Sequence, residues 1–209
     1  ALLMKDNAAA LELAQRWQAL APADDQARQA LALALLRNGR IDEAANHLEA
    51  VRRIASKKDQ QDGYATLASL LSQVDDKPAA LRVMGQFRDR NPRSAFAQYY
   101  YAMLAAAVGE RSQALSSLDQ ALARNPKLAA AHLLRTRILL DQDNREAALA
   151  GLGKAVAALP RDRNLRMSYA RLLIEAGQLD KARREFATLL SQNPKETDSV
   201  YALGLLAAE

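Results

Sequence analysis

Four prolines, Pro92, Pro126, Pro160 and Pro194, stand 34 residues apart along the chain. Three follow asparagine, in Asn91-Pro92, Asn125-Pro126 and Asn193-Pro194, and Leu159-Pro160 fills the remaining slot. A fixed period of this length is the mark of stacked supersecondary units, each too small to bury its own apolar face. In that register Ala80, Ala114, Ala148 and Ala182 share one position, and Ala44 joins them once an insertion of two residues near Asp59-Gln60 is allowed for. Four residues further on come Leu48, Met84, Leu118, Leu152 and Phe186. Ahead of the alanine, Gly39, Gly109 and Gly177 mark a turn, and Asp75 and Asp143 take that place in the other two units.

On both sides of the turn the apolar residues recur at helical spacing, as in Leu67, Ala68 and Leu71, then Ala80, Met84 and Phe87. Each unit therefore reads as two antiparallel helices. Gly or Asp ends the first, proline closes the second, and the small alanine lets the pair approach closely. The composition agrees: the chain is rich in Ala and Leu, with only 8 Gly and 6 Pro among 209 residues.

The pattern resembles the tetratricopeptide repeat (TPR) family over essentially the whole chain. The segment "GERSQALSSLDQALARNP" at 109–126 fits the second half of the family motif closely. The first half is degenerate, with Arg28, Tyr64, Gln98, His132 and Arg166 in the slot where the family has Trp. Only "YALG" at 201–204 restores the family's Leu-Gly pair. The resemblance implies an all-α fold, a right-handed α-solenoid of antiparallel helix pairs. Its repeats are 25–60, 61–94, 95–128, 129–162 and 163–196. Residues 1–24 match the second half of a unit, with Ala10 and Pro22 in the alanine and proline slots, and 197–209 match the first helix of another. Such arrays need polar capping units, yet "VYALGLLAAE" stops on an apolar helix. The expectation is a single array over 1–209, a fragment of a longer chain, with any targeting signal or lipid-anchor cysteine upstream.

Chemistry is scarce. There are no cysteines, which removes disulfides, thiolate metal sites and a cysteine nucleophile while leaving the compartment open. No apolar run approaches the ~18 residues that a membrane span needs, so no membrane contact is expected from this segment. The net charge of +5 is dispersed among acidic residues, which disfavours nucleic acid, although "PRDRNLR" at 160–166 concentrates three arginines. "AGLGKA" at 150–155 has the Gly and Lys of a phosphate loop. It lacks the first Gly and the Ser or Thr after Lys, and it lies in a helical stretch, so helix packing is the better account. The acidic run from Asp141 lacks the central Gly and the last Glu of a calcium loop and occupies a repeat turn. His47 and His132 lie in different repeats with no partner at ligand spacing, which suggests structural roles. No catalytic residue, cofactor, metal or small-molecule substrate is expected, and the chain is read as a non-enzyme.

Helical geometry shows which residues are left to bind a partner. With units numbered from 25, 61, 95, 129, 163 and 197, positions 4, 7, 8 and 11 of each first helix face its second helix. Positions 2, 5, 9, 12 and 13 fall opposite, on the side that lines the concave groove in the family. Position 5 reads Gln29, Ala65, Tyr99, Leu133, Met167 and Tyr201, and position 9 adds Met103, Arg137, Arg171 and Leu205. Position 2 contributes Phe96, and position 12 Leu36, Leu140 and Ile174. The candidate partner-binding residues are Phe96, Tyr99, Met103, Leu133, Arg137, Met167, Arg171 and Tyr201. Packing within the superhelix is the alternative for the apolar ones. Arg137 and Arg171 could clamp a carboxylate, yet Asp141 and Glu175 follow four residues later, placed for helix-surface pairs. The family's chaperone clamp uses Lys at position 5 and Asn at position 9, and neither occurs here.

The triplet Tyr99-Tyr100-Tyr101 divides by register: Tyr101 in the core, Tyr100 on the flank, Tyr99 in the groove. The function expected is a non-enzymatic scaffold that binds a protein or peptide partner, and self-association is compatible with it. The Ala/Arg/Gln-rich repeats also resemble, in style, Gram-negative envelope TPR proteins. Among these are lipoprotein adaptors that present substrates to a periplasmic C-terminal-processing protease, and assembly factors for pili or exopolysaccharide export. That resemblance implies a periplasmic location, against a cytoplasmic alternative. The competing functional reading is a substrate-recognition or regulatory domain of a larger enzyme such as a glycosyltransferase.

Overall fold

The computed structural model describes residues 6–59, 63–195 and 197–207. Among them are twelve α-helices and no strand. They are α1 (Asn7–Leu20), α2 (Asp25–Arg37), α3 (Ile41–Asp59), α4 (Tyr64–Ser72), α5 (Lys77–Arg90), α6 (Ala95–Ala107), α7 (Arg111–Arg124), α8 (Ala129–Leu140), α9 (Arg145–Ala158), α10 (Arg163–Glu175), α11 (Leu179–Gln192) and α12 (Thr197–Ala207). The expected all-α architecture of helix pairs stands. The chain divides into two compact units, Ala1–Ala121 and Leu122–Glu209, with the boundary inside α7. No described helix is long and apolar enough to cross a membrane.

The turns explain why the pairs form. Gly39, Gly109 and Gly177 all adopt positive φ, and so does Asp143, at 56°. Each sits just beyond a first helix and closes it with the same two bonds. In α2, Gly39 N–H donates to Leu36 C=O at 3.0 Å and Arg40 N–H to Leu35 C=O at 3.0 Å. Gly109 and Glu110, Asp143 and Asn144, and Gly177 and Gln178 repeat the arrangement at 2.8 to 3.1 Å. These are Schellman closures, which satisfy carbonyls that a helix end would leave orphaned. Asp75 does not join them: the α4–α5 turn has no left-handed residue. There the Lys77 ammonium caps Ser72 C=O at 2.5 Å instead.

The recurring alanines Ala44, Ala80, Ala114, Ala148 and Ala182 are all buried, as are Leu48, Met84, Leu118, Leu152 and Phe186 one turn on. Burying each of the larger residues contributes about 1.5–3 kcal/mol. In unit 1, α4 packs on α2, α3, α5 and α6; in unit 2, α10 packs on α8, α9 and α11. These two first helices thus lie against second helices and neighbouring first helices and keep a remaining side free.

Candidate functional site

Within unit 2 that free side carries two neighbouring clefts. One, of about 320 Å³, lies where α8, α9 and α10 meet and is lined by Leu133, Arg137, Leu140, Leu152, Arg171 and Leu172, among others. The next, of about 340 Å³, is lined by Met167, Arg171, Ile174, Tyr201, Ala202 and Leu205, with Phe186 and Leu206 beneath. Arg171 borders both. The structure therefore gathers Leu133, Arg137 and Arg171 round one cleft, and Met167, Arg171 and Tyr201 round the other.

The residues differ in availability. Tyr201 is 70% exposed, Arg137 and Arg171 are exposed and Leu133 is half-buried. Met167 is 6% exposed and packs in a cluster with Leu173, Phe186, Leu189 and Leu206. The packing alternative therefore applies to it: an unbranched, flexible side chain reaches into the gap between α10 and its neighbours and forms the floor of the cleft. Leu36, expected on the same side of α2, is buried as well.

The electrostatics of the groove also departs from the expected surface pairs. Glu175 turns to Arg145 at 3.5 Å, and Arg145 also holds Asp143 at 3.2 Å. Among the described residues no carboxylate within ion-pair distance engages Arg137 or Arg171. Two guanidinium groups, each able to meet a carboxylate bidentately, thus stand beside largely apolar clefts whose lining also includes Asp141, Glu175 and Asp198.

In unit 1, Phe96 is 40% exposed on α6, while Tyr99 and Met103 are half-buried. Tyr99 meets Tyr100 edge-on, with centroids 4.9 Å apart, and burial pushes its phenol pKa up. Tyr101 is core, as expected: the Arg88 guanidinium lies 3.9 Å from its ring centroid, and its hydroxyl donates to Gln113. Another cleft, between α2, α3 and α4, is lined by Asp25, Gln26, Gln29, Val51, Ile54, Ala55 and Thr66 and is more polar.

The degenerate Trp slot turns out to have its own logic. Arg28 donates to Pro22 C=O at 2.8 Å, and Arg166 to Pro160 C=O at 2.7 Å. His132 Nε2 lies 2.9 Å from Pro126 C=O. Three polar side chains thus tie a first helix to the proline that closes the preceding unit. Arg166 is buried and also pairs with Glu185. Sequence reasoning missed these ties, although the six-residue spacing from proline to polar residue was there to be read. Of the arginines in "PRDRNLR", Arg166 is consumed in this way and Arg163 meets Asp198 at 3.6 Å, so little of that cluster is left for a phosphate. "AGLGKA" lies inside α9, where the Tyr169 hydroxyl sits 3.3 Å from the place a Cβ on Gly153 would take. Its glycines make room for neighbouring side chains. Among the described residues no group of His, Asp and Glu is placed to hold a metal ion.

The sequence model of the tetratricopeptide repeat matches residues 139–208, which contain both clefts' principal helix, α10. Solved structures of tetratricopeptide-repeat proteins carry the same fold over most of the chain. TTC0263, a thermophilic TPR protein from Thermus thermophilus, is 26% identical, covers 89% of this chain and 100% of its own, and superposes with a TM-score of 0.55. YrrB, a TPR protein with an unusual peptide-binding site, is 23% identical over 75% of this chain and 81% of its own, with a TM-score of 0.54. MamA from Desulfovibrio magneticus is 20% identical over 69% of this chain and 82% of its own, again with a TM-score of 0.54. The last two likenesses are likenesses of fold. No curated protein matches the sequence.

Proposed function

We propose that this chain is a non-enzymatic interaction scaffold whose unit 2 holds an extended peptide segment along α8, α10 and α12. The peptide's apolar side chains lodge in the two clefts, over Leu133 and Met167 and against Tyr201. Its carboxylate meets Arg137 and Arg171. The observation that carries this reading is the pair of largely apolar clefts sharing Arg171, with Asp141, Glu175 and Asp198 on their rims but none of them within ion-pair distance of Arg137 or Arg171. The fold shared with YrrB, a TPR protein with a peptide-binding site, supports it. Phe96, Tyr99 and Met103 form a second, aromatic contact surface on unit 1. The 34-residue register runs through both units.

The style of the repeats further suggests a periplasmic adaptor of the bacterial envelope, presenting substrates to a protease or assisting export of pili or exopolysaccharide. Fractionation of the source cells tests that location. The binding claim is tested by selecting peptides from a random library against the 209-residue chain. The expected winners pair an acidic residue with a large apolar one. The double variant Arg137→Glu/Arg171→Glu should weaken the selected peptides by roughly 10–100-fold, as for loss of a charge-assisted contact, with unchanged helical circular dichroism. Winners without acidic residues, or affinity indifferent to the charge reversal, would remove the groove as the site.

A further inference from the structure

Two first helices of unit 2 carry the same pair of opposite charges at the same register. Arg137 and Asp141 on α8, and Arg171 and Glu175 on α10, hold positions 9 and 13 of their units. In unit 1 position 9 is Leu33, Ser69 and Met103, and position 13 is Arg37, Gln73 and Ala107.

Helix stability does not ask for this arrangement. Asp141 caps the C-terminus of α8 and Glu175 is the last residue of α10, where a carboxylate opposes the helix dipole and a cation would suit it. Arginine four residues ahead of a carboxylate is also the weaker order for a surface pair. Neither pair closes. Among the described residues Asp141 makes no ion pair, and Glu175 is engaged by Arg145 at 3.5 Å instead. All four side chains are exposed and line one cleft of about 320 Å³, with Leu133, Leu140, Leu152 and Leu172 as its apolar part.

In this cleft the charges form two rows, the arginines in one and the carboxylates in the other. Four residues of helix rise about 6 Å, and that rise separates the rows. An extended peptide sets residues two apart on one face, about 6.6–6.8 Å from each other. The two spacings nearly coincide. We infer that the segment held between α8 and α10 carries an acidic and a basic residue two positions apart, the acid on the arginine row and the base on the carboxylate row. Asp141 is the principal acceptor for the base, because Arg145 already engages Glu175. The inference rests on the reading of unit 2 as a peptide groove and adds to it a cation at a fixed distance from the carboxylate. A run of acidic residues alone would set a negative charge against Asp141, so the same row that favours the base rejects such a run.

Peptide arrays probed with the 209-residue chain test it. Short peptides carry one leucine, one glutamate and one lysine in a background of serine and alanine, with every placement of the three represented. Binding should peak where glutamate and lysine stand two apart, in either order. Replacing that lysine by glutamine should weaken it roughly three- to fivefold, the size of an exposed ion pair. Asp141→Asn should abolish the preference for lysine. Asp141→Lys should reverse it, favouring two glutamates two apart, without lowering the melting temperature, since a cation suits that helix end. Binding that needs glutamate and leucine but ignores lysine overturns the charge pattern and leaves the groove standing. So does a preference for lysine that survives both substitutions at Asp141, or a melt of Asp141→Asn well below the parent, which would make Asp141 a structural residue. Binding indifferent to glutamate as well removes the groove itself.

Discussion

In unit 2 both complete hairpins turn on a left-handed residue at one register position, Asp143 and Gly177, and both first helices are tied back to a proline carbonyl, by His132 and Arg166. Unit 1 keeps that scheme in α2–α3, with Gly39 and Arg28, and abandons it at α4–α5. A two-residue insertion precedes this hairpin. Helix α3 runs 19 residues where α5 runs 14, and α4 is only 9 residues long and starts at Tyr64. Gly63 makes the crossing at φ 74°, so close to α3 that a Cβ on it would stand 2.2 Å from Arg52 C=O. Tyr64 then fills the Trp slot as a buried aromatic under the Arg52 guanidinium, 5.2 Å away, where unit 2 uses a polar tie. A repeat therefore absorbs an insertion by lengthening one helix and shortening the next, provided glycine stands at the pinch.

The sharpest way to break this comparison is Gly63→Ala. It adds a left-handed penalty of about 1–2 kcal/mol to a backbone collision, for a total of roughly 3 kcal/mol or more. Gly39→Ala is the control: φ is nearly the same, at 73°, but nothing lies within 4 Å, so only the ~1–2 kcal/mol backbone penalty should appear. Urea unfolding followed by circular dichroism separates the two, and equal losses would refute the pinch. In unit 2 the corresponding weak point is Arg166. Arg166→Ala strands Glu185, while Pro160 C=O keeps the Gln192 Nε2 donor at 3.1 Å, and should cost about 3 kcal/mol, whereas Arg166→Leu with Glu185→Leu should recover most of that loss, because replacing both partners of a buried pair is often neutral. Arg28→Ala in unit 1 removes a more exposed tie, near ~1 kcal/mol.

These contrasts also mark what could be read from sequence. The period showed the hairpins, the alanine core and the left-handed turn at Gly39, Gly109 and Gly177, because such steric demands are local and repeat. Asp75 and Asp143 share a register position, yet only Asp143 is left-handed, a difference the local pattern does not record. Position 5 faces the groove by register with packing as the alternative for its apolar residues, and Met167 does both: it is buried at 6% exposure and still lines a cleft. Arg137 and Arg171 were legible as candidates. Their freedom was not, since it depends on Glu175 turning to Arg145 in another helix.

Smaller effects sharpen the comparison further. Asp143 is the one described residue other than glycine at positive φ, so Asp143→Gly should stabilise unit 2 by ~0.5–1 kcal/mol, less whatever the exposed Arg145 pair contributes. A thermal melt above that of the parent chain is the expected reading. A lower melt would show that the ion pair outweighs the backbone strain.

The smallest expected effect belongs to unit 1. Burial holds the His47 imidazole pKa below its ordinary value; the Arg28 cation adds to this and Glu43 opposes it. A group whose folded pKa is depressed binds fewer protons in the native state than in the unfolded chain, so stability rises with pH across that interval. The contribution is complete above the ordinary imidazole value near 6.5 and drains away as pH falls through the lower folded value. Carboxylates titrating further down also destabilise in acid, so the measurement is a difference. The parent chain should lose more melting temperature than His47→Gln between about pH 7.5 and pH 5.5, a window set by the reference imidazole value. Parallel losses in the two chains would mean that His47 titrates alike folded and unfolded, and that burial on α3 does not govern its charge.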